Sequence, residues 1–303
     1  MSLKIHILGC YAATPRSLSN PTSQVVEIKN QLFLIDCAEG TQVQLRKQQV
    51  KFSRINHVFI SHLHGDHFFG LIGLISTFSL LNREKELHIH GPKGIKELML
   101  MQLKLSESYT KYPLYFHELT SKEPEVILET DSYKVTTIPL NHRIYCNGFL
   151  LEEKLGERKL NMDAIRNYPI DQVYFSKIKQ GKNMVLEDGT EIPNEELTFA
   201  PDPPKSYAYC SDTVFDETLA QRIPNATVLY HESTFLDKEV DLAEKTKHST
   251  AKQAAMVAKQ AGVQHLILGH YSTRYKSLEM FAEEAKTVFS SVHLADDGKV
   301  FEF

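Results

Sequence analysis

The hexapeptide His62-Leu63-His64-Gly65-Asp66-His67 constrains this chain more than any other feature. It follows a β-prone run at 55–60 and precedes an apolar run at 68–81. Apolar residues at 68, 71, 72, 75 and 78 give that second run the spacing of a buried helix face. A tight loop at a strand end turns several side chains toward one point. Three imidazoles and a carboxylate gathered there suit zinc or a similar borderline cation. The alternative, a polar loop of solvated histidines, leaves the strand–loop–helix context without a reason.

A two-metal centre needs more ligands than one loop supplies, and they should sit at equivalent strand ends. His142 follows the run Tyr133–Leu140, Asp212 follows Ser206–Cys210, and His270 follows the run 265–268. Taken singly, His142 and His270 would more often be ordinary surface or core histidines. With the hexapeptide they place a ligand-type residue at four strand-to-loop junctions, a recurrence that chance rarely gives.

The rest of the chain mixes strands and helices. Short β-rich runs occur at 3–8, 24–28, 31–36, 227–231 and 300–303, and helices are expected at 250–261 and 277–289. Thr250-x-x-Gln253 opens the first of these as a capping box, and Gly262 stops it. Mixed elements in both halves imply an α+β fold, two sheets packed between helix layers, in a single domain over 1–303. Residues 152–197 read differently, as an insertion standing off the core. Within 154–182, seven Lys/Arg stand against three acidic residues, while 187–196 is acidic. A hairpin is expected at Lys179-Gln180-Gly181-Lys182 and a second turn at Asp188-Gly189.

Composition narrows the function classes. A formal net charge of −4 argues against a dedicated nucleic-acid-binding domain, so a polyanionic partner must meet a local basic patch. The apolar run at 68–81 is too short to span a bilayer, and the first residues lack a signal peptide's apolar stretch, so no membrane partner is expected. Cys10, Cys37, Cys146 and Cys210 are far apart and read as reduced thiols of a cytoplasmic protein.

The H-x-H-x-D-H loop resembles that of the metallo-β-lactamase superfamily. Further motifs are similar to one branch, the ribonuclease Z family of tRNA 3′-processing endoribonucleases. They are Asp36-Cys37-Ala38-Glu39-Gly40-Thr41-Gln42, Tyr209-Cys210-Ser211-Asp212-Thr213, His231-Glu232-Ser233-Thr234-Phe235, His248-Ser249-Thr250-Ala251 and Gly269-His270-Tyr271-Ser272-Thr273-Arg274-Tyr275. The similarity spans nearly the whole chain.

The resemblance implies a four-layer αβ/βα sandwich with a protruding tRNA-binding arm at 152–197. It implies two Zn2+ per subunit, with Mn2+ as the alternative, in a homodimer. His62, His64 and His142 would hold one ion, Asp66, His67 and His270 the other, and Asp212 would bridge them. The reaction implied is hydrolysis of a phosphodiester to remove the 3′ trailer of precursor tRNA. Asp66 would orient the nucleophile and accept its proton. His248, oriented by Glu232, would protonate the leaving 3′-oxygen; otherwise His248 is a solvated loop residue. Ser272, Thr273 and Arg274 would hold the substrate phosphate, Arg274 being equally suited to a structural ion pair. Lys177, Lys179 and Lys182 would contact tRNA phosphates, or else decorate a solvated hairpin. Glu39 is a candidate either to orient a metal-bound imidazole or to stabilise the fold. His231 reads as a core histidine, and His6, His57, His88, His90, His117, His265 and His293 have no functional case.

The chain departs from the family pattern twice. Residues 167–174 lack the glycines of the arm's Gly-Pro-rich motif, and Ser19 precedes Asn20 where a basic residue is common. The loop at 15–20 is associated with reading the tRNA 3′ end, so the cleavage position and discrimination against mature CCA ends are not carried over. Two rivals stand beside this reading. One is another phosphodiesterase or small-ester hydrolase of the same fold, which would need no arm. The other is a non-catalytic RNA-binding scaffold, which would be free to lose ligands.

Overall fold

A computed structural model describes residues 3–14, 17 and 19–303. Pro15, Arg16 and Leu18, in the loop expected to read the tRNA 3′ end, lie outside the described residues. The first of two seven-stranded sheets runs Val300–Glu302, Lys4–Gly9, Ser23–Ile28, Gln31–Ile35, Ile55–Phe59, Leu87–Pro92, Leu114–Leu119. Its first three pairings are antiparallel and its last three parallel. The second sheet runs Val292–Leu294, His265–Gly269, Val228–Glu232, Ser206–Cys210, Cys146–Glu153, Tyr133–Leu140, Val126–Glu129. Its first three pairings are parallel.

Parallel strands covered on both faces read as unbroken apolar runs rather than alternating ones. Val228–Glu232 is buried at all five positions. The helices Leu71–Leu80 and Ile95–Leu105 cover the first sheet, packing Leu74, Phe78 and Met99 with Val58 and Ile89. The helices Ala251–Ala261 and Glu279–Lys286 cover the second. Ala251–Ala261 starts at the expected Thr250–Gln253 capping box and stops at Gly262, whose φ is +67°. The sheets face each other through Phe59 and Phe149, whose ring centres are 5.2 Å apart, and through Tyr207 Oη, which donates to Gln24 Oε1. The result is the expected α+β sandwich of two sheets between helix layers.

Two helices differ from expectation. The run 68–81 is not one helix: Gly65–Phe68 ends before Leu71–Leu80 begins. The break lies where Gly70 passes the Asp36–Ala38 turn, and a Cβ on Gly70 would meet Ala38 O at 2.0 Å. Cys37 N donates to His67 O at 2.7 Å and Gly70 N to Cys37 O at 2.9 Å, pinning the metal-type loop to that turn. The last helix, Glu279–Lys286, is shorter than 277–289.

Residues 153–204, with 130–133, form a second compact unit. Its own small core comprises Ile165, Ile178, Met184, Ile192 and Leu197. The hairpin expected at 179–182 is instead the end of the helix Phe175–Lys179, followed by Gly181 at φ +86°. A glycine ending a helix and a glycine in a turn look alike in sequence. The turn at Asp188-Gly189 does join two paired strands, Met184–Val185 and Glu191–Ile192. Lys177 and Lys182 are exposed and Lys179 half-buried. Among the described residues, no helix is long and apolar enough to cross a membrane.

Candidate metal centre

The seven expected ligands all lie just beyond the C-terminal ends of strands. Ile55–Phe59 leads to 62–67, Tyr133–Leu140 to His142, Ser206–Cys210 to Asp212 and His265–Gly269 to His270. That edge of a parallel sheet is where open α/β folds place ligands. The seven fall into two groups, His62, His64, His142 and Asp212, and Asp66, His67 and His270, while Asp212 and His270 also gather with His248. Within each, the ligand-type atoms lie within 4.8 Å of one another. His64 Nδ1 is 3.0 Å from His62 Nε2 and 3.3 Å from His142 Nε2. The Asp212 carboxylate divides between the groups. Its Oδ1 is 3.2 Å from both His67 Nε2 and His270 Nε2, and its Oδ2 is 3.7 Å from His62 Nε2 and 3.8 Å from His142 Nε2.

The surroundings fix which nitrogen carries a proton in four of these five imidazoles. A carboxylate only accepts, so His67 donates from Nδ1 to Asp36 Oδ2 at 2.7 Å. A carbonyl only accepts, so His142 donates from Nδ1 to Lys247 O at 3.0 Å. Thr234 Oγ1 gives its own proton to Glu232 Oε2 and so accepts from His270 Nδ1 at 2.9 Å. Ser61 Oγ gives its proton to Asp36 Oδ2 and accepts from His62 Nδ1 at 3.0 Å. Four Nε2 lone pairs are thereby left free to ligate, two in each group, the usual preparation of a metal site. His67 Nε2 and His270 Nε2 are buried and have no hydrogen-bond partner, which a cation would satisfy. Burial depresses His62 well below the usual histidine range. It opposes protonation of His67 too, but the Asp212 and Asp36 charges prevail and raise that ring. A divalent cation beside Asp212 would supply the positive charge that this proton otherwise supplies. The residues fit a divalent metal.

Asp36 is the residue that sequence reasoning undervalued. Its buried carboxylate accepts from Ser61 N at 2.8 Å, Ser61 Oγ at 2.9 Å, His67 Nδ1 at 2.7 Å and Tyr209 Oη at 2.8 Å. Glu39, the residue considered for orienting an imidazole, is exposed. The signal was available: Asp36 directly follows the strand Gln31–Ile35, as the ligands follow theirs. Thr234 and the Lys247 carbonyl were also missed. Ala13, Asp36, Asp212, Lys247 and His270 all have positive φ, between 56° and 62°. Each such residue costs about 1–2 kcal/mol, and their concentration here marks a site whose geometry overrides local preference.

Glu232 and His248 form a second constellation beside the first. Buried Glu232 accepts from Thr213 N at 2.7 Å, Ser249 N at 3.1 Å and His248 Nδ1 at 2.9 Å. Burial opposes ionising either partner, yet His248 holds Glu232 below its usual range and Glu232 raises His248 to about 9. The His248 ring lies 5.4 Å from that of His270. A cleft of about 490 Å3 is lined by His248, Asp66, Asp212, His270, Ser272 and Thr273. Arg274 is exposed; its guanidinium lies 5.1 Å over the Phe235 ring and its Nε donates to Ser272 Oγ at 3.3 Å. Ser19 is buried, and Asn20 donates twice to Asp297.

Two mixed sheets between helices, with a histidine- and aspartate-lined cleft at their strand ends, define a hydrolase of the metallo-β-lactamase fold. The human short-form tRNase Z superposes with a TM-score of 0.71 at 26% identity, covering 98% of each chain. The metallo-β-lactamase fold protein YhfI from Bacillus subtilis gives 0.69 at 19% identity, covering 100% of this chain and 99% of the other. The family profile described as anti-Pycsar protein Apyc1 matches residues 3–156. Ribonuclease Z from Bacteroides fragilis strain YCH46 is 46% identical over 97% of both chains. That from Porphyromonas gingivalis strain ATCC 33277 is 43% identical over 98% of this chain and 97% of its own. The chain belongs to the ribonuclease Z family, endoribonucleases of this fold.

Proposed function

We propose that this enzyme removes the 3′ trailer of precursor tRNA by hydrolysing one phosphodiester. The observation that carries the reading is the division of the Asp212 carboxylate between two ligand groups in a chain of this family. His62, His64 and His142 would hold one ion, Asp66, His67 and His270 the other, with Asp212 shared. The imidazole-rich donor set favours two Zn2+ per chain, Mn2+ being the alternative. When bound, such a pair supplies Lewis acidity, lowering the pKa of water and neutralising charge at the scissile phosphate.

The chain's own groups do the rest. Asp66, on the cleft wall, orients the attacking water and takes its proton. The bond from phosphorus to the leaving 3′-oxygen breaks as that oxygen takes a proton. His248 provides it from Nε2, since its Nδ1 is committed to Glu232 Oε1. Ser272 and Thr273 border the same cleft and hold the phosphate, with Arg274 beside them over Phe235. The unit at 153–204 binds the body of the tRNA through Lys177, Lys179 and Lys182. We assign it the role expected of the 152–197 arm.

The active form is a homodimer. Leu80, Leu98, Met101, Leu105 and Tyr109 are exposed on or beside the helices Leu71–Leu80 and Ile95–Leu105, a density of apolar surface that favours association. The cysteines are all free and buried, in keeping with a cytoplasmic enzyme. The test is incubation of wild type and Asp66→Ala with a 3′-extended tRNA precursor. Cleavage near the discriminator base by wild type alone supports the reading; equal cleavage by both removes Asp66 from its role.

A further inference from the structure

Ala13 belongs to neither ligand group, yet its backbone N–H donates to Asp66 Oδ2 at 2.9 Å. The same oxygen lies 3.7 Å from His67 Nε2 and 3.9 Å from His270 Nε2. Ala13 reaches this position at φ +56°, a region alanine rarely enters. Such a conformation persists only where neighbours over-determine it. Ala12 N donates to Tyr271 O at 3.0 Å, Tyr271 N to Cys10 O at 3.3 Å, and Thr14 N to Ala12 O at 2.8 Å. Behind this turn, Tyr11 Oη donates to Asp296 at 2.9 Å. Tyr271 directly follows His270. One backbone ladder therefore ties the turn that holds Asp66 to the strand end that carries His270, two members of one ligand group.

We infer that Ala13 is a positioning residue. Its amide fixes the Asp66 carboxylate for cation binding and proton transfer, and the ladder between 10–12 and 271 keeps Asp66 in register with His270. The inference rests on the metal-dependent reading above. An unrestrained carboxylate rotates about its last bond, whereas one held by a fixed amide presents the same lone pair each time. Loss of an outer partner of a ligand typically costs about 10–100-fold in metal affinity or activity.

The test replaces Ala13 by lactic acid, which exchanges the N–H for an ester oxygen and keeps the methyl group. Two readouts are taken: zinc affinity by chelator competition without substrate, and kcat and KM on a 3′-extended tRNA precursor. The expected result is a loss of about 10–100-fold in affinity for one of the two zinc ions and a similar fall in kcat, with KM within about twofold. Ala13→Gly keeps the N–H and tolerates the positive φ, so both readouts stay within about threefold of wild type. Unchanged zinc affinity and kcat in the ester would overturn the inference, as would a glycine variant as impaired as the ester. A wild type that binds zinc but leaves the precursor intact would sink the ribonuclease reading, and the zinc comparison alone would then decide the role of Ala13.

Discussion

Replacing Asp36 by asparagine should damage the metal site from behind while leaving every ligand in place. Four donors converge on this buried carboxylate, three on Oδ2 and one on Oδ1. Asparagine keeps the volume but turns one oxygen into a donor. If the amide nitrogen takes the Oδ2 position it meets three donors, and if it takes the Oδ1 position it meets Ser61 N–H. At least one buried donor loses its acceptor, at about 1–3 kcal/mol, and the surviving bonds lose their charge assistance. A total of roughly 2–4 kcal/mol follows, enough to lower the unfolding midpoint by several degrees in a chain of this size. The functional effect is separate. The His67 Nδ1 proton is no longer enforced, so its Nε2 lone pair is no longer guaranteed, and zinc affinity should fall about 10–100-fold. Calorimetry and chelator competition read the two effects independently. Glu39→Gln, at an exposed position, should change neither. Wild-type zinc affinity in Asp36→Asn would refute the claim that this carboxylate sets the tautomer.

Three further outcomes follow from the same geometry. Burial, reinforced by neighbouring histidines, pushes His57 down to about 4 and His90 to about 2, with His57 Nδ1 3.2 Å from His90 Nε2. Their folded values lie below the unfolded value near 6.5, so the unfolded chain binds more protons in acid. Stability is therefore full above about pH 6.5 and falls as the pH drops toward 4, by up to ~1.4 kcal/mol per pH unit for each histidine; urea unfolding of His57→Phe should show a shallower slope than wild type, and an equal slope counts against this. Glu152 and Ser206 are register partners, so residues 154–204 can be excised and closed with a short glycine linker. The shortened enzyme should keep its hydrolysis of bis(p-nitrophenyl) phosphate while its KM for precursor tRNA rises at least tenfold, as expected once phosphate contacts are lost; an unchanged KM would favour a different phosphodiesterase on this scaffold. His248→Ala should lower kcat by about 10²–10⁴-fold with zinc affinity near that of wild type, whereas Glu232→Gln should lower both, because Glu232 also takes the Thr234 proton and so sets what His270 donates to; a Glu232→Gln variant with wild-type zinc affinity counts against this.

The seven residues that gather at the strand ends are legible in the sequence because each is a distinctive residue type beyond a strand with a clear β pattern. His142 and His270 were ambiguous alone and became readable only through the hexapeptide. The groups that aim these ligands left no such trace. Lys247 acts through its carbonyl and Ala13 through its amide, and neither function depends on residue type. Thr234 was visible in a motif, but its double role as donor to Glu232 and acceptor from His270 needs the fold. Asp36 and Glu39 share one motif, and spacing does not tell an inward side chain from an outward one in a turn. The break before Leu71 was hidden because an apolar run continues across Gly70 and its constraint lies in Ala38, far away in sequence.

The central claim is that one chain holds two ions about a shared aspartate and cuts with both. Metal-free enzyme titrated with Zn2+, while cleavage of a 3′-extended tRNA precursor is followed, measures this directly. The account predicts that activity rises until two ions are bound per chain and then levels off, and that Asp212→Ala never reaches that plateau. Full activity at one ion per chain, or an Asp212→Ala variant as active as wild type, would contradict it.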